Sequence, residues 1–324
     1  MNGRGSAFGI DATRPSAVLE QLQFSAGERF ALTRLDGGLT NRNYRVSTAS
    51  GREFVARFAG AKSELLSIDR DAEAYNSAVA ASLGVGPRVV EYAPSEQVLV
   101  VEWIKGHTFT EAELDDPQVL SRIASTCRTL HAGPRFISDF DMFDVQRGYL
   151  RIVREHGFRL PADYLDFESQ IRRLDEALHS SSPGTVPCHN DLLAANIMRD
   201  DDRVWFIDYE YSGNNDPCFE LGNIWSEAEL PDDRLEYLVT AYLGRPAPAL
   251  TARARLFALM SQYGWTLWAS IQDAVSDVDF DFWSWGMAKY ERAVALLRST
   301  DLQRLIDTVD EPAGKGAEPW QQSN

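Results

Sequence analysis

The stretch Pro187-Cys188-His189-Asn190-Asp191-Leu192-Leu193-Ala194-Ala195-Asn196-Ile197-Met198, followed by Val204-Trp205-Phe206-Ile207-Asp208, constrains this chain more than any other. Two short apolar segments flank the polar run Arg199-Asp200-Asp201-Asp202-Arg203, which is the pattern of a β-hairpin. A turn centred on Asp202 sets Asn196 opposite Asp208, because the two are equidistant from it. A turn centred on Asp201 sets Asn196 opposite Phe206 instead. Directly opposed residues have Cβ atoms about 4.5–5.5 Å apart, close enough for two side chains to hold one metal ion. Asp191 stands at the mouth of the same loop. One local unit therefore gathers a candidate general base and two candidate oxygen ligands.

The surrounding chain is long enough, at 324 residues, for a two-lobed enzyme or two small domains. It contains no run of about 18 apolar residues, so no membrane span is expected. The polar, Gly-rich start Met1-Asn2-Gly3-Arg4-Gly5-Ser6 lacks the apolar core of a signal peptide. Cys127, Cys188 and Cys218 are odd in number and lack metal-ligand spacing, which points to reduced thiols and a cytoplasmic location. The net charge of −16 argues against nucleic acid or an anionic membrane as partner and suits a small cationic substrate.

Residues 15–22 read as a short helix with Thr13 as cap. Strand-like segments follow at 30–35, 43–47 and 53–58, the first two joined by Asp36-Gly37-Gly38-Leu39-Thr40-Asn41. A helix is expected over 67–83 with Ser67 as its cap and Gly84-Val85-Gly86-Pro87 as its stop. Two more strands, 88–92 and 97–102, complete an antiparallel sheet. Helices then dominate, at 110–131, 146–156, 162–180, 219–228, 232–243, 251–275 and 280–299, interrupted by the hairpin. Strand-rich followed by helix-rich sequence predicts an α+β protein of two lobes with a cleft between them. The polar tail 311–324 reads as frayed.

His189-Asn190-Asp191-x-x-x-x-Asn196 has the spacing of the protein-kinase catalytic loop, with Asn190 in place of Arg. The chemistry accounts for the residue types. A carboxylate beside the attacking hydroxyl takes its proton, a role for Asp191. Hard oxygen ligands hold Mg²⁺ against nucleotide phosphates, a role for Asn196 and Asp208. His189 braces the loop through hydrogen bonds.

On these residues the chain resembles the superfamily of aminoglycoside phosphotransferases and choline/ethanolamine kinases, whose fold is protein-kinase-like, over residues 29–299. The resemblance implies ATP and Mg²⁺ as cofactors and a phosphate-covering loop at Gly37, Gly38, Thr40 and Asn41. It puts Arg57 where protein kinases carry their phosphate-binding lysine, with Glu73 as the acidic partner on the next helix and Asp71 as the alternative. The exit of the strand around Glu102 and Ile104 is similar to the hinge that reads adenine. The implied division is a nucleotide-binding lobe at 1–102, a hinge at 103–106 and a helical acceptor lobe at 107–310. A homodimer is compatible with it.

Aspartate-aromatic-Glu-Tyr-Ser at 208–212, with Phe219-Glu220-Leu221-Gly222-Asn223 and Glu227, looks like the choline and ethanolamine kinase branch. Trp265 and Trp268 resemble the Trp-x-x-Trp helix of that branch, and at i,i+3 their rings share a helix face. Six of the eight tryptophans fall between Trp205 and Trp285, which concentrates them in the expected acceptor lobe. Aromatic faces attract quaternary ammonium groups, and a nearby carboxylate adds charge attraction. Glu210, Tyr211, Glu227, Trp265, Trp268 and Trp285 are thus the expected acceptor-binding set, with Trp283 or Phe282 as alternatives to Trp285. Leu193 departs from the branch, many of whose members have Gln there beside the acceptor hydroxyl. The expected activity is phosphorylation of choline or ethanolamine. The competing readings are an aminoglycoside or other small-alcohol kinase and an inert nucleotide-binding protein.

Overall fold

Period-two alternation decides where the first hundred residues point their side chains. The computed structural model describes residues 15–60, 63–201 and 203–310, so the expected cap Thr13 and the tail 311–324 lie outside the described residues. After helix α1 (Pro15–Leu19) come strands β1 (Phe30–Leu35), β2 (Asn41–Thr48) and β3 (Glu53–Ala59). Helix α2 (Arg70–Ser82) follows, then β4 (Val89–Ala93) and β5 (Val98–Glu102). The strands pair antiparallel in the order β1-β2-β3-β5-β4. Phe54, Ala56 and Phe58 pack with Val46, Val98 and Val100 under Leu19 and Phe24. The alternate positions Val55 and Arg57 face the other way; Arg57 is registered with Leu99, which packs with Val101 against Ala74 of α2. Alternation alone thus delivers a guanidinium to the α2 side of the sheet.

The α2 cap is Asp69, not Ser67. The Asp69 carboxylate accepts the N–H groups of Asp71 and Ala72, both at 3.0 Å. Ser67 sits at φ +57°, outside the extended conformation an N-cap adopts. A carboxylate at this end also gains from the helix dipole.

Beyond β5 the chain forms β6 (His107–Thr108), α3 (Glu111–Leu114), α4 (Pro117–His131), α5 (Met142–His156) and α6 (Glu168–Ser180). Four three-residue strands follow: β7 (Val186–Cys188), β8 (Ile197–Arg199), β9 (Val204–Phe206) and β10 (Gly213–Asn215). Helices α7 (Pro217–Glu227), α8 (Asp232–Leu243), α9 (Pro248–Val275), α10 (Phe282–Leu297) and α11 (Asp301–Asp310) close the described chain. α9 is buried almost all round from Ala252 to Gln272, as a helix apolar on every face must be. The helices surround it in one continuous apolar core.

The expected single helix at 110–131 is two, because Pro117 cannot continue a helix and instead occupies the first turn of α4, capped by Asp116. A 3₁₀ turn, Tyr164–Phe167, precedes α6, so the expected helix 162–180 starts late. The architecture is the antiparallel sheet and helical body of an α+β protein, as the sequence predicts.

Candidate active site

The hairpin pairs Ile197 with Phe206, Met198 with Trp205 and Arg199 with Val204. This register lies between the two expected ones, so Asn196 faces Ile207, neither Asp208 nor Phe206. The Ile207 N–H donates to the Asn196 carbonyl at 3.0 Å. The turn enforces this register: the Asp200 N–H donates to the Arg203 carbonyl at 3.2 Å, and the Asp200 carboxylate accepts the Arg203 N–H at 2.7 Å. Asp208 reaches the site by another route. Its backbone turns left-handed, at φ +70°, and breaks the strand's alternation. Asn190 does the same at φ +67°. Short Asn and Asp side chains are among the few that tolerate this conformation, and it concentrates at functional sites.

Buried side chains fix the loop between β7 and β8. Glu220 is fully buried and accepts the N–H groups of His189 (3.0 Å) and Asn190 (2.7 Å), while His131 Nε2 lies 3.2 Å away. Burial pushes the Glu220 carboxyl up, but the hydrogen bonds and charge contacts from His131 and His189 outweigh it and hold the group below its ordinary value. The Asn190 amide donates to the Tyr211 carbonyl at 3.0 Å, and the Leu192 N–H donates to Asn223 Oδ1 at 2.9 Å. His189 donates from Nε2 to the Ile207 carbonyl (2.8 Å) and accepts the Asp191 N–H at Nδ1 (3.3 Å). With both nitrogens engaged and burial holding its pKa down, this imidazole is a brace. Asn196 Nδ2 donates to the Asp191 carbonyl (2.8 Å) and to Asp191 Oδ2 (3.1 Å). Burial, reinforced by Glu227, Asp208 and Glu210, pushes the Asp191 carboxyl well above its ordinary value.

A chain of ion pairs crosses from the sheet to the helical body. Arg57 lies 3.2 Å from Glu73 and also contacts Asp208. Arg70 bonds Glu73 at 2.7 Å and Glu210 at 3.2 Å, and Asn41 Nδ2 donates to Glu210 at 2.8 Å. Burial, then the charge of Asp208, pushes the Glu210 carboxyl up to about 7 despite Arg70. Asp71, the alternative partner for Arg57, instead accepts the Tyr92 hydroxyl at 2.7 Å.

Two cavities meet at this chain. The larger, about 1170 Å³, has apolar walls from Val55, Leu99, Val101, Met198 and Ile207, and Glu102, Trp103 and Ile104 at its edge. The smaller, about 650 Å³, is bounded by Tyr211, Trp265, Trp268 and Trp285 with Glu227. Gly37, Gly38, Ala195, Asn196 and Asp208 line both. Gly37 sits at φ +96°, and a Cβ on Gly38 would stand 2.5 Å from the Asn41 carbonyl oxygen, so only glycines allow this loop to fold over the junction. Thr40 and Asn41, expected on the nucleotide side, line the smaller cavity; His189 and Glu73 line neither.

The aromatic wall is tightly organised. The Trp268 indole N–H donates to the Tyr211 hydroxyl at 2.8 Å. Tyr211 and Trp265 ring centres are 4.9 Å apart, and those of Trp268 and Trp285 are 5.5 Å apart. Trp283 points elsewhere, under the Arg159 guanidinium at 3.9 Å, and Phe282 packs beside Trp268. Of the four carboxylates on this cavity, Asp208, Glu210 and Glu227 each have a cationic partner, whereas Asp191 has none among the described residues. The partner of Glu227 is Lys289, and neither Lys289 nor Arg70 stands out in the sequence as a site residue. The available signals were helical spacing: Lys289 one turn after Trp285, and Arg70 three residues before Glu73.

The sequence matches the family described as choline/ethanolamine kinase over residues 32–238. It is 28% identical to ethanolamine kinase 2 of Mus musculus over 294 residues, covering 82% of this chain and 76% of the relative. It is 27% identical to protein LicA of Haemophilus influenzae over 271 residues, covering 81% of this chain and 78% of the relative. Among solved structures, a choline/ethanolamine kinase family protein from Mesorhizobium loti superposes with a TM-score of 0.78 at 31% identity, covering 91% of this chain and 97% of its own. A thermostable mutant of an aminoglycoside phosphotransferase shares the fold, with a TM-score of 0.61 at 18% identity over 83% of this chain and 96% of its own. Among the described residues no helix is long and apolar enough to cross a membrane.

Proposed function

Since the chain belongs to the choline/ethanolamine kinase family, we propose that it transfers the γ-phosphate of Mg-ATP to the hydroxyl of a small amino alcohol, choline or ethanolamine, with Asp191 as general base. It is a small-molecule kinase, and the observation that supports the finer reading is the junction of the two cavities. A nucleotide in the larger and an alcohol in the smaller would meet at Asn196 and Asp208, beside Asp191, the carboxylate of this cavity without a cationic partner among the described residues. In this reading residues 1–102 form the nucleotide lobe, 103–106 the hinge and 107–310 the acceptor lobe.

The donor set fits Mg²⁺. Asn196 spends its Nδ2 on Asp191, which leaves its amide oxygen for a cation, and Asp208 adds a carboxylate. An amide and a carboxylate oxygen are the hard ligands this ion takes. Bound there, Mg²⁺ would neutralise charge on the phosphates. Arg57, held by Glu73, supplies a permanent positive charge at the inner end of the nucleotide cavity. The amides of the Gly37-Gly38 loop cover the phosphate path. Asp191 takes the hydroxyl proton as the oxygen attacks, and its raised pKa, lowered again when cationic groups bind nearby, suits a base of moderate strength. The aromatic wall of Tyr211, Trp265, Trp268 and Trp285 holds the ammonium end, so that positioning carries much of the rate.

The direct test is ADP release by the purified chain with a panel of choline, ethanolamine and their N-methyl intermediates. Turnover of at least one is expected. No turnover of any of them, with an aminoglycoside or another alcohol accepted instead, would overturn the reading.

A further inference from the structure

Lys289 is one of only four lysines in the chain, and it is only 2% exposed. It lies on α10 one turn after Trp285. Its Nζ donates to both Glu227 oxygens, at 2.7 and 2.6 Å, and stands 4.2 Å from the centre of the Trp285 ring. Gly286 lets α10 come this close to α9, since a Cβ there would stand 2.5 Å from the Ala269 Cβ. A buried ion pair is a poor stabiliser, and a well-packed apolar pair of similar volume often does as well or better. Stability alone therefore does not account for this lysine, which stands behind Glu227 and Trp285 of the acceptor wall without lining the cavity itself.

From behind the lining, Lys289 engages two members of that wall that an incoming ammonium would draw on. It shares the Glu227 carboxylate, and it covers a face of Trp285. The Tyr211 hydroxyl is likewise engaged, accepting the Trp268 indole N–H. What this aromatic side of the cavity offers a ligand is chiefly ring surface; the acceptors left open on the same cavity, the Asp191 carboxylate and Asn41 Oδ1, belong to the loop after β7 and to the end of the glycine loop. A primary ammonium brings three N–H donors, each of which loses its hydration uncompensated unless an acceptor meets it. A quaternary ammonium brings none, and its methyl groups settle against ring faces.

We propose that Lys289 is a positioning residue that sets amine specificity: by engaging both Glu227 oxygens and covering Trp285, it makes the acceptor wall favour a fully methylated ammonium alcohol over a primary amine. The proposal rests on the amino-alcohol kinase reading above. Removing the lysine charge frees Glu227 to accept N–H donors from a primary ammonium, whereas Arg in its place keeps the carboxylate engaged.

The experiment compares kcat/KM for choline and ethanolamine in the unmodified chain, Lys289→Met, Lys289→Arg and the double variant Glu227→Gln/Lys289→Met. The unmodified chain is expected to favour choline. Lys289→Met is expected to move the ratio toward ethanolamine by about tenfold, the factor that one hydrogen bond to a charged group is worth. Lys289→Arg, which restores the ion pair, and the double variant, whose wall is again neutral, should keep the choline preference. A merely structural role would lower both substrates alike and leave the ratio unmoved. If Lys289→Met does not fold, the double variant still decides the matter, and an ethanolamine preference there overturns the proposal. Turnover with a native preference for ethanolamine, or a ratio unchanged in Lys289→Met, overturns this inference alone. Failure of the unmodified chain to turn over either alcohol removes the kinase reading and this inference with it.

Discussion

At the scale of single residues, the site separates groups that act from groups that hold. Asp191 is the carboxylate on the smaller cavity with no cationic partner among the described residues, so in the proposed reading Asp191→Asn removes the base while keeping its shape and its contact with Asn196. Its kcat should fall by about 10²–10⁴-fold, the usual worth of a positioned acid or base. Mg-ATP binding, measured by calorimetry, should be nearly unchanged, and a kcat within a few-fold of the parent would exclude Asp191 as the base. Glu220 holds. In Glu220→Gln one of the two loop amides, His189 N–H or Asn190 N–H, must face an NH₂ group. Near pH 7 that should cost about 1–3 kcal/mol of stability, the range for a buried donor left unpaired. The pH dependence has a definite sign. The folded carboxyl titrates below its ordinary value of 4.5, so its contribution is present above that value and is lost as pH falls through the lowered one. Denaturant curves of parent and variant should therefore converge below about pH 4.5, and a gap that widens there would contradict the assignment.

At the scale of elements, the elements most legible in the sequence were those with long periodic signals. The sheet strands and α8 lie almost where alternation and helical spacing put them, because five or more residues suffice to show a period. β7 and β10 have three residues each and show none, and their pairing depends on contacts far apart in sequence. α11 is not legible in the sequence, because a break at Ser299 hides the new start at Asp301. The hairpin was legible as a hairpin, but its register was not, since run lengths cannot tell a turn centred on one residue from one centred between two. Gly222 is another element-scale device. It sits where α7 crosses α9, and a Cβ there would stand 2.1 Å from the Ala254 carbonyl oxygen. Backbone cannot move aside as a side chain can, so Gly222→Ala should push α7 away and cost about 1–3 kcal/mol. Because α7 also carries Glu227, KM for the amino alcohol should rise more than KM for ATP. Equal changes in both would mean that the helix shift does not reach the acceptor wall.

At the scale of the whole molecule, the two halves of the site work together only if the sheet and the helical body keep a fixed distance. Besides the connecting segment 103–106 and the ion pairs from Arg57 and Arg70, they are joined by a polar seam. Asn76 of α2 is fully buried and donates to the Ser212 carbonyl (3.1 Å) and hydroxyl (3.0 Å), while its own carbonyl accepts the Ile137 N–H at 3.2 Å. Gln272 of α9 donates to the Leu39 carbonyl in the glycine loop at 3.1 Å. The first contact ties the helix that bears Glu73 to the segment just past Glu210 and Tyr211. The second ties the glycine loop to the helix that bears Trp265 and Trp268. In the proposed reading each seam contact therefore couples a nucleotide group to an acceptor group. Asn76→Ala strips three hydrogen bonds from a dry interface and leaves their partners unpaired, at about 1–3 kcal/mol for each group that water cannot reach. The expected result is an unfolding midpoint lowered by several degrees together with a raised KM for ATP, because α2 no longer holds Glu73 firmly behind Arg57. Asn76→Asp keeps the acceptor for Ile137 but turns a carboxylate on the Ser212 carbonyl, so it should be no better than alanine. If Asn76→Ala instead unfolds at the parental midpoint with unchanged KM, the hinge and the Arg57–Asp208 contact suffice to set the distance between the halves, and the seam has no part in it.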